Sequence, residues 1–143
     1  MIKEVPDHHD AELVLRLYEL RREVVMRESR AKIMSWLPRT WEEFVAVTKP
    51  DHPMNAAFRQ TSSYWEMAYG MAKHHIVQPD YLIENTTEGL FLYAKVLPFL
   101  ERFRKEAAPT GFRNAEWITS NCVAGKQRLE MVQGRIRKML ETT

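Results

Sequence analysis

Residues 13–34 read LVLRLYELRREVVMRESRAKIM, and residues 118–139 read ITSNCVAGKQRLEMVQGRIRKM. In both stretches, mostly apolar positions recur after alternate steps of four and three residues, which is the spacing of a helix face that packs on another helix. The first ladder consists of Leu13, Leu17, Leu20, Val24, Arg27, Ala31 and Met34. The last ladder consists of Ile118, Cys122, Gly125, Leu129, Val132, Ile136 and Met139. The sequence therefore predicts two long helices, one near each end of the chain.

The two ladders match each other when they are aligned antiparallel from their outer ends. The one charged position of the first ladder, Arg27, then faces the one position of the last ladder without a side chain, Gly125. We therefore predict that the two long helices pack antiparallel within one chain, with Arg27 close to the main chain of Gly125.

The N-terminal helix is predicted over residues 11–36, because Pro38 cannot continue a helix. Thr40 and Glu43 have the spacing of a capping box, in which each side chain accepts from the main chain of the other. This box predicts a helix of about two turns that ends at Val47.

The middle of the chain predicts three further helices. Pro53 is suited to the first position of a long, aromatic-rich central helix, and Pro79 to that of a short one. Thr86 or Thr87 can cap the third helix. Pro98 lies inside that helix, where it removes a main-chain hydrogen bond, so we expect a kink or a break in the turn before it.

Composition limits the classes of protein to which the chain can belong. The 143 residues are 45% hydrophobic and 28% charged, which is ordinary for a globular protein, and no alternating strand pattern or strand-turn-strand signal is present. We predict an all-α fold in which residues 1–143 form a single helical bundle of about five to six helices. One cysteine, no signal-peptide pattern and no apolar run of ~18 residues predict a cytoplasmic protein without membrane insertion.

Specific chemical motifs are not found. Cys122 falls in the last ladder, which is typical of a small buried residue. His8 or His9 with Glu12 is a weak pattern for metal binding, and Gly125 is not part of a phosphate-binding loop. We predict no catalytic residue, no metal site and no cofactor.

The densest group of unusual residues lies between Tyr64 and Leu82. Glu66 follows an aromatic residue and can be partly buried, which raises the pKa of a carboxyl group. A salt-bridged structural role and a role as an acid or base are both open for it. The candidate ligand or partner site comprises Trp65, Glu66, Tyr69, His74, His75 and Asp80.

A basic surface is predicted near the C-terminus. A nucleic-acid-binding protein presents such a face to phosphates, but a solvated helix face looks the same in sequence. The candidate patch comprises Lys126, Arg128, Arg135, Arg137 and Lys138, with a second cluster at Arg102, Arg104 and Lys105.

The order aromatic-Glu, three residues, Gly, a basic patch, Ile-Val and Pro-Asp-Tyr-Leu is similar to the core of an uncharacterised bacterial helical family. That family is often found beside membrane-spanning segments. The positions that carry the resemblance are Glu66, Gly70, Ile76, Asp80 and Leu82, with Arg102 or Arg104 as a later arginine. The resemblance covers about residues 55–105 and implies a helical fold, but it brings no activity, because the family is of unknown function.

The sequence as a whole favours a non-enzymatic interaction or regulatory domain. The expected partner is another protein or a second copy of the chain, as in a homodimer. Nucleic-acid binding through the C-terminal helix is the alternative. A second alternative is a small-ligand binder or enzyme with Glu66, His74 and His75 near a pocket.

Overall fold

Eight α-helices build the part of the protein that a computed structural model describes, residues 4–142. No strand occurs among these residues, so the predicted all-α fold is confirmed. The helices are α1 (His8–Arg21), α2 (Val24–Ser35), α3 (Trp41–Val47), α4 (Asn55–Lys73), α5 (Pro79–Glu84), α6 (Glu88–Glu106), α7 (Arg113–Asn121) and α8 (Val123–Glu141). The predicted number of five to six was too low, because both of the predicted long helices are interrupted.

The helix predicted over residues 11–36 is divided into α1 and α2 at Arg22 and Glu23. The carboxylate of Glu23 accepts hydrogen bonds from the N–H groups of Val25 and Met26 at 3.1 and 3.0 Å. These donors lie in the first turn of α2, so Glu23 caps a new helix instead of continuing the old one. No proline or glycine marks this break in the sequence.

The break changes the face that α2 buries. α2 packs on α4 through a set of residues that is not the ladder, namely Met26, Ser29 and Ile33. The ladder positions of α2 are exposed: Val24, Arg27, Ala31 and Met34.

The last ladder is also interrupted, at Cys122, whose backbone is extended with φ −120° and ψ 125°. Its positions nevertheless face inward, and α8 packs on α5, α6 and α7. The buried members are Ile118, Cys122, Gly125, Val132 and Ile136, whereas Met139 is exposed. The sequence therefore predicted the buried face of α7 and α8 correctly, but it did not predict the break between these two helices.

The predicted antiparallel pairing of the first and last helices is wrong. A Cβ atom at Gly125 would lie 2.5 Å from the carbonyl oxygen of Ile118 and 2.7 Å from its Cγ2 atom. The glycine thus makes room for the preceding helix, α7. Arg27 is exposed on α2, which packs on α4 rather than on α8.

Aromatic side chains fill the core around α4 and α6. The Phe44 ring, from α3, lies 6.3 Å from the ring of Phe58 and 5.1 Å from that of Phe103. Tyr69 and Ala72, farther along α4, are fully buried. The prediction of an aromatic, deeply packed central helix is confirmed.

The shorter elements follow their predicted signals closely. Thr40 Oγ1 accepts from the N–H of Glu43 at 3.1 Å, and α3 ends at Val47 as predicted. The Glu43 carboxylate, however, accepts from the N–H of Arg39. The sequence predicted a kink or a break before Pro98. α6 runs through Pro98 as one helix, so the helix is not broken there.

Candidate functional site

Glu66 lies on the face of α4 that α7 approaches, and its carboxylate accepts two main-chain hydrogen bonds. Oε2 accepts from the N–H of Asn114 and Oε1 from the N–H of Ala115, both at 2.9 Å. These residues begin α7, whose own N-cap residue, Phe112, makes no capping hydrogen bond. Glu66 therefore caps α7 from another helix and places a negative charge where a helix N-terminus favours one.

The surroundings of Glu66 act on its pKa in opposite directions. Burial raises the pKa of this carboxyl group, while the N–H groups of Asn114 and Ala115 and the charges of Arg104 and Lys73 lower it, with a net rise. Main-chain donors hold both oxygens, in place of the salt bridge that the sequence suggested. This arrangement is that of a helix cap.

Gly70 lies one turn after Glu66 and allows α7 to come close. A Cβ atom at Gly70 would lie 2.9 Å from Nδ2 of Asn114, which donates to the main-chain oxygen of Glu66 at 2.9 Å. The Glu-x-x-x-Gly spacing puts the cap and the space for its partner on one face of α4. The pattern that carries the family resemblance thus has a structural explanation in how α7 docks.

Trp65 and Tyr69 lie on a different face of α4, next to the start of α6. Nε1 of Trp65 donates to Oε2 of Glu88 at 3.2 Å, and the rings of Trp65 and Tyr69 stack with centroids 5.9 Å apart. The hydroxyl of Tyr69 has no hydrogen-bond partner within residues 4–142, and burial raises its pKa well above the usual range. Gly89 makes room for both rings. These aromatics serve the packing of α4 on α6.

The remaining members of the predicted site lie elsewhere. His74 and His75 are exposed where α4 ends, and His75 has a left-handed backbone with φ 64°. Asp80 is exposed in the first turn of α5. The structure does not bring the six predicted residues together, because they occupy two faces of α4, the turn after it and the first turn of α5.

An open groove of about 770 Å³ separates α4 from the loop that joins α6 to α7, residues 107–112, and Glu66 lines it. Phe58 and Phe103 contribute to its floor together with Phe112. Phe112 has φ 58°, a left-handed conformation that bulky residues rarely adopt. The sequence identified Glu66 but not the opposite wall, because nothing in it predicts the conformation of Phe112.

A partly buried ion pair that sequence reasoning missed joins α2 to α6. Nε of Arg30 donates to the two carboxylate oxygens of Glu88 at 2.8 and 3.0 Å. Nη1 of Arg30 donates to the carbonyl oxygen of Arg21 at 3.2 Å. Arg30 therefore connects the end of α1 to α6 across the break at Arg22 and Glu23.

Lys95 is a second polar residue that was missed. Its side chain is buried, and Nζ donates to the carbonyl oxygens of Ile33 and Met34 at 2.7 and 3.3 Å. The ammonium group satisfies carbonyls at the C-terminal end of α2, while burial lowers its pKa to about 8. The sequence did contain a signal for this buried lysine, because Lys95 is the only charged residue in the apolar run of residues 89–100.

The candidate basic patch on α8 is mostly exposed. Its exposed members are Lys126, Arg135, Arg137 and Lys138. Arg128 is half-buried, and its Nη1 donates to Oγ1 of Thr87 at 2.6 Å. Arg128 is thus engaged in joining α8 to the start of α6.

The second basic cluster is partly neutralised by neighbouring carboxylates. Arg102 pairs with Glu106 one turn later, and Nη1 of Arg104 lies 2.9 Å from Oε2 of Glu116. Lys105 is exposed. The cluster therefore helps to hold the end of α6 and the start of α7.

Cys122 is buried at the corner between α7 and α8, and burial raises the pKa of its thiol to about 11. Near the N-terminus, His9 Nδ1 lies 4.0 Å from Oε2 of Glu12. Residues 4–142 contain no group of three or more His, Cys, Asp or Glu side chains arranged to hold a metal ion. In the same part of the chain, no helix combines the length and apolarity needed to cross a membrane.

Comparison with known families gives a match over most of the chain. The family described as "Domain of unknown function (DUF4760)" matches residues 6–122, which is most of the chain and includes α1 to α7. Comparisons with curated proteins and with solved structures found no match. The matched range contains both Glu66 and the α7 N-terminus that it caps. The chain belongs to the DUF4760 family, whose function is unknown.

Proposed function

We propose that the chain is a non-enzymatic interaction domain that associates with a second copy of itself through the exposed face of α2. The observation that carries this proposal is the exposed half of the first ladder. Val24 and Met34 are 53% and 45% exposed, although their spacing is typical of a helix seam. We call the set Val24, Arg27, Ala31 and Met34 the α2 stripe.

Exposed apolar side chains are concentrated on α1 and α2. Twelve large hydrophobic residues are exposed within residues 4–142, and six of them belong to α1 and α2. These six are Leu15, Tyr18, Leu20, Val24, Val25 and Met34. Such a concentration is more typical of an interaction surface than single exposed hydrophobic residues are.

A second copy fits the stripe because the stripe is complementary to itself. In an antiparallel pair that is symmetric about residue 29, Arg27 of each copy faces the small Ala31 of the other, and Val24 faces Met34. The exposed Glu28 then lies within one helical turn of Arg27 in the other copy, which gives the charged side chain an opposite charge. The arrangement is isologous, as in most homodimers.

Size-exclusion chromatography with light scattering tests the proposal. The α2 stripe is short, so we expect a concentration-dependent shift of the wild-type chain toward twice the mass of one chain. The double variant Val24→Glu, Met34→Glu places a pair of negative charges in each stripe and should stay monomeric at every concentration. Both positions are exposed, so the thermal unfolding midpoint should change little.

Met67→Glu together with Ile76→Glu is the matched control. These side chains are 45% and 53% exposed but lie on α4 and after it, away from the α2 stripe. The control should dimerise like the wild type. A wild type that is monomeric throughout, or an equal loss of dimer in both double variants, would contradict the proposal.

The two alternatives gain no further support from the geometry. Glu66 is occupied as a helix cap, and His74 and His75 are not part of the groove that it lines. Nucleic-acid binding by the exposed cations of α8 stays a prediction.

A further inference from the structure

The groove between α4 and residues 107–112 is a feature that self-association through α2 does not use. Its α4 wall begins near Arg59 and reaches Lys73, and a helix rises ~1.5 Å per residue, so this wall is about 20 Å long. The other wall is the α6–α7 loop with the first residues of α7, among them Arg113. A groove of this length suits an extended chain better than a compact metabolite.

The charges that line the groove are mainly positive. Arg59, Lys73 and Arg113 contribute three positive charges against the one negative charge of Glu66, so the lining has a net charge of +2. Within residues 4–142, none of these three cations has a carboxylate within 4.0 Å. Arg59 donates to the neutral side chain of Asn55, which leaves its charge uncompensated.

The single carboxylate of the lining is already engaged. Both oxygens of Glu66 accept main-chain N–H groups of α7. An incoming anionic group therefore meets Arg59 and Lys73, which have no carboxylate within 4.0 Å, at the two ends of the α4 wall. The Glu66 carboxylate lies between them, and its negative charge is partly compensated by its main-chain N–H donors.

The rest of the lining includes both apolar and polar side chains. Phe58, Phe103 and Phe112 are its large apolar lining residues, and we call them the phenylalanine floor. Above it, the hydroxyls of Ser62 and Ser63 donate to main-chain oxygens of their own helix and keep lone pairs that can accept from a peptide N–H. This combination is suited to a ligand with apolar side chains, main-chain N–H groups and acidic groups.

We propose that this groove binds an acidic peptide segment of a partner protein, with aliphatic or aromatic side chains on the phenylalanine floor and Asp or Glu residues at Arg59, Lys73 and Arg113. Charge complementarity selects an acidic segment, and the length of the groove selects an extended one. The site is separate from the α2 stripe, so it does not depend on self-association.

Selection from a phage-displayed library of random twelve-residue peptides tests this proposal with the full chain as bait. We expect enriched peptides to contain an excess of Asp and Glu interspersed with apolar residues. An enriched peptide, labelled with fluorescein and followed by anisotropy, should lose affinity by about 10-fold or more for the double variant Arg59→Glu, Lys73→Glu, because attraction becomes repulsion at both ends.

The matched control is Lys126→Glu together with Arg135→Glu, which makes the same change of charge on exposed positions of α8 outside the groove. This control should keep peptide affinity within about 3-fold at physiological salt, where distant charges are screened. No enrichment, enrichment without acidic excess, or an equal loss in both double variants would overturn the proposal. The variant Arg59→Glu, Lys73→Glu should still dimerise in light scattering. A failure of peptide binding can therefore be distinguished from a failure of self-association through the α2 stripe.

Discussion

Glu66 shows how one side chain can complete a helix that is distant in the sequence. The start of α7 follows directly from the left-handed Phe112, and this residue makes no capping hydrogen bond. Without Glu66, the N–H groups of Asn114 and Ala115 would have to find water in the groove. The docking of α7 on α4 is therefore linked to a residue forty-eight positions earlier.

Replacing Glu66 with alanine should lower the free energy of unfolding by about 1–2 kcal/mol, because two N–H groups lose their acceptor and water replaces it only in part. Urea unfolding followed by circular dichroism measures the change. Glu130→Ala, on the exposed surface of α8, is the control and should stay within about 0.5 kcal/mol of the wild type. A Glu66→Ala variant as stable as this control would contradict the capping role.

The residues of the candidate site could be predicted only in part. Glu66 attracts attention in the sequence, because it is a carboxylate beside aromatic residues with a glycine one turn later. Its partners could not be found, because they are main-chain groups of a helix whose position depends on the left-handed backbone of Phe112. Residue types carry no information about a hydrogen bond to a distant main chain.

At the scale of helices, spacing predicted buried faces better than it predicted helix ends. The last ladder faces inward through both α7 and α8, since the register is nearly kept across the extended residue Cys122. The first ladder loses its register at Glu23, because this side chain caps α2 and turns Met26 and Ile33 inward. A capping glutamate looks like a surface glutamate in the sequence, so the break was not predictable.

Gly125 and Gly134 provide a test of helix contact within α8. A methyl group at Gly125 would meet the carbonyl oxygen of Ile118 at 2.5 Å, whereas one at Gly134 would meet only the Arg137 guanidinium at 3.7 Å. We expect Gly125→Ala to lower the free energy of unfolding by about 1–3 kcal/mol, because main-chain atoms at the α7–α8 corner must move.

Gly134→Ala should have the opposite effect and raise the free energy of unfolding by up to about 1 kcal/mol, since alanine favours a helix and the site is open. Chemical denaturation of both variants gives the two values. Equal effects of the two substitutions would mean that the close approach of α7 and α8 at Gly125 does not constrain the fold.

For the whole molecule, α8 is the helix that the family match leaves out, because the match ends at residue 122. In the structure this helix covers α6, and Val132 and Ile136 are buried against Phe91 and Ala94. The helix therefore belongs to the same packed body as the matched region. The sequence supports this assignment, since the last ladder runs across the end of the matched region without a change of spacing.

A chain that ends after Cys122 should therefore lose its cooperative fold. The buried Val132 and Ile136 each contribute about 1.5–3 kcal/mol, and the partly buried Leu129 adds a smaller amount. Their sum is comparable to the lower end of the total stability of a typical domain, about 5–15 kcal/mol. Thermal unfolding followed by near- and far-ultraviolet circular dichroism should show retained helix content with a broad, weak transition. The full-length variant Val132→Ala should lie between the two chains, because it removes only part of one buried side chain. If the shortened chain kept a sharp transition within about 5 °C of the full chain, α8 would be an accessory helix and the matched region would be stable by itself.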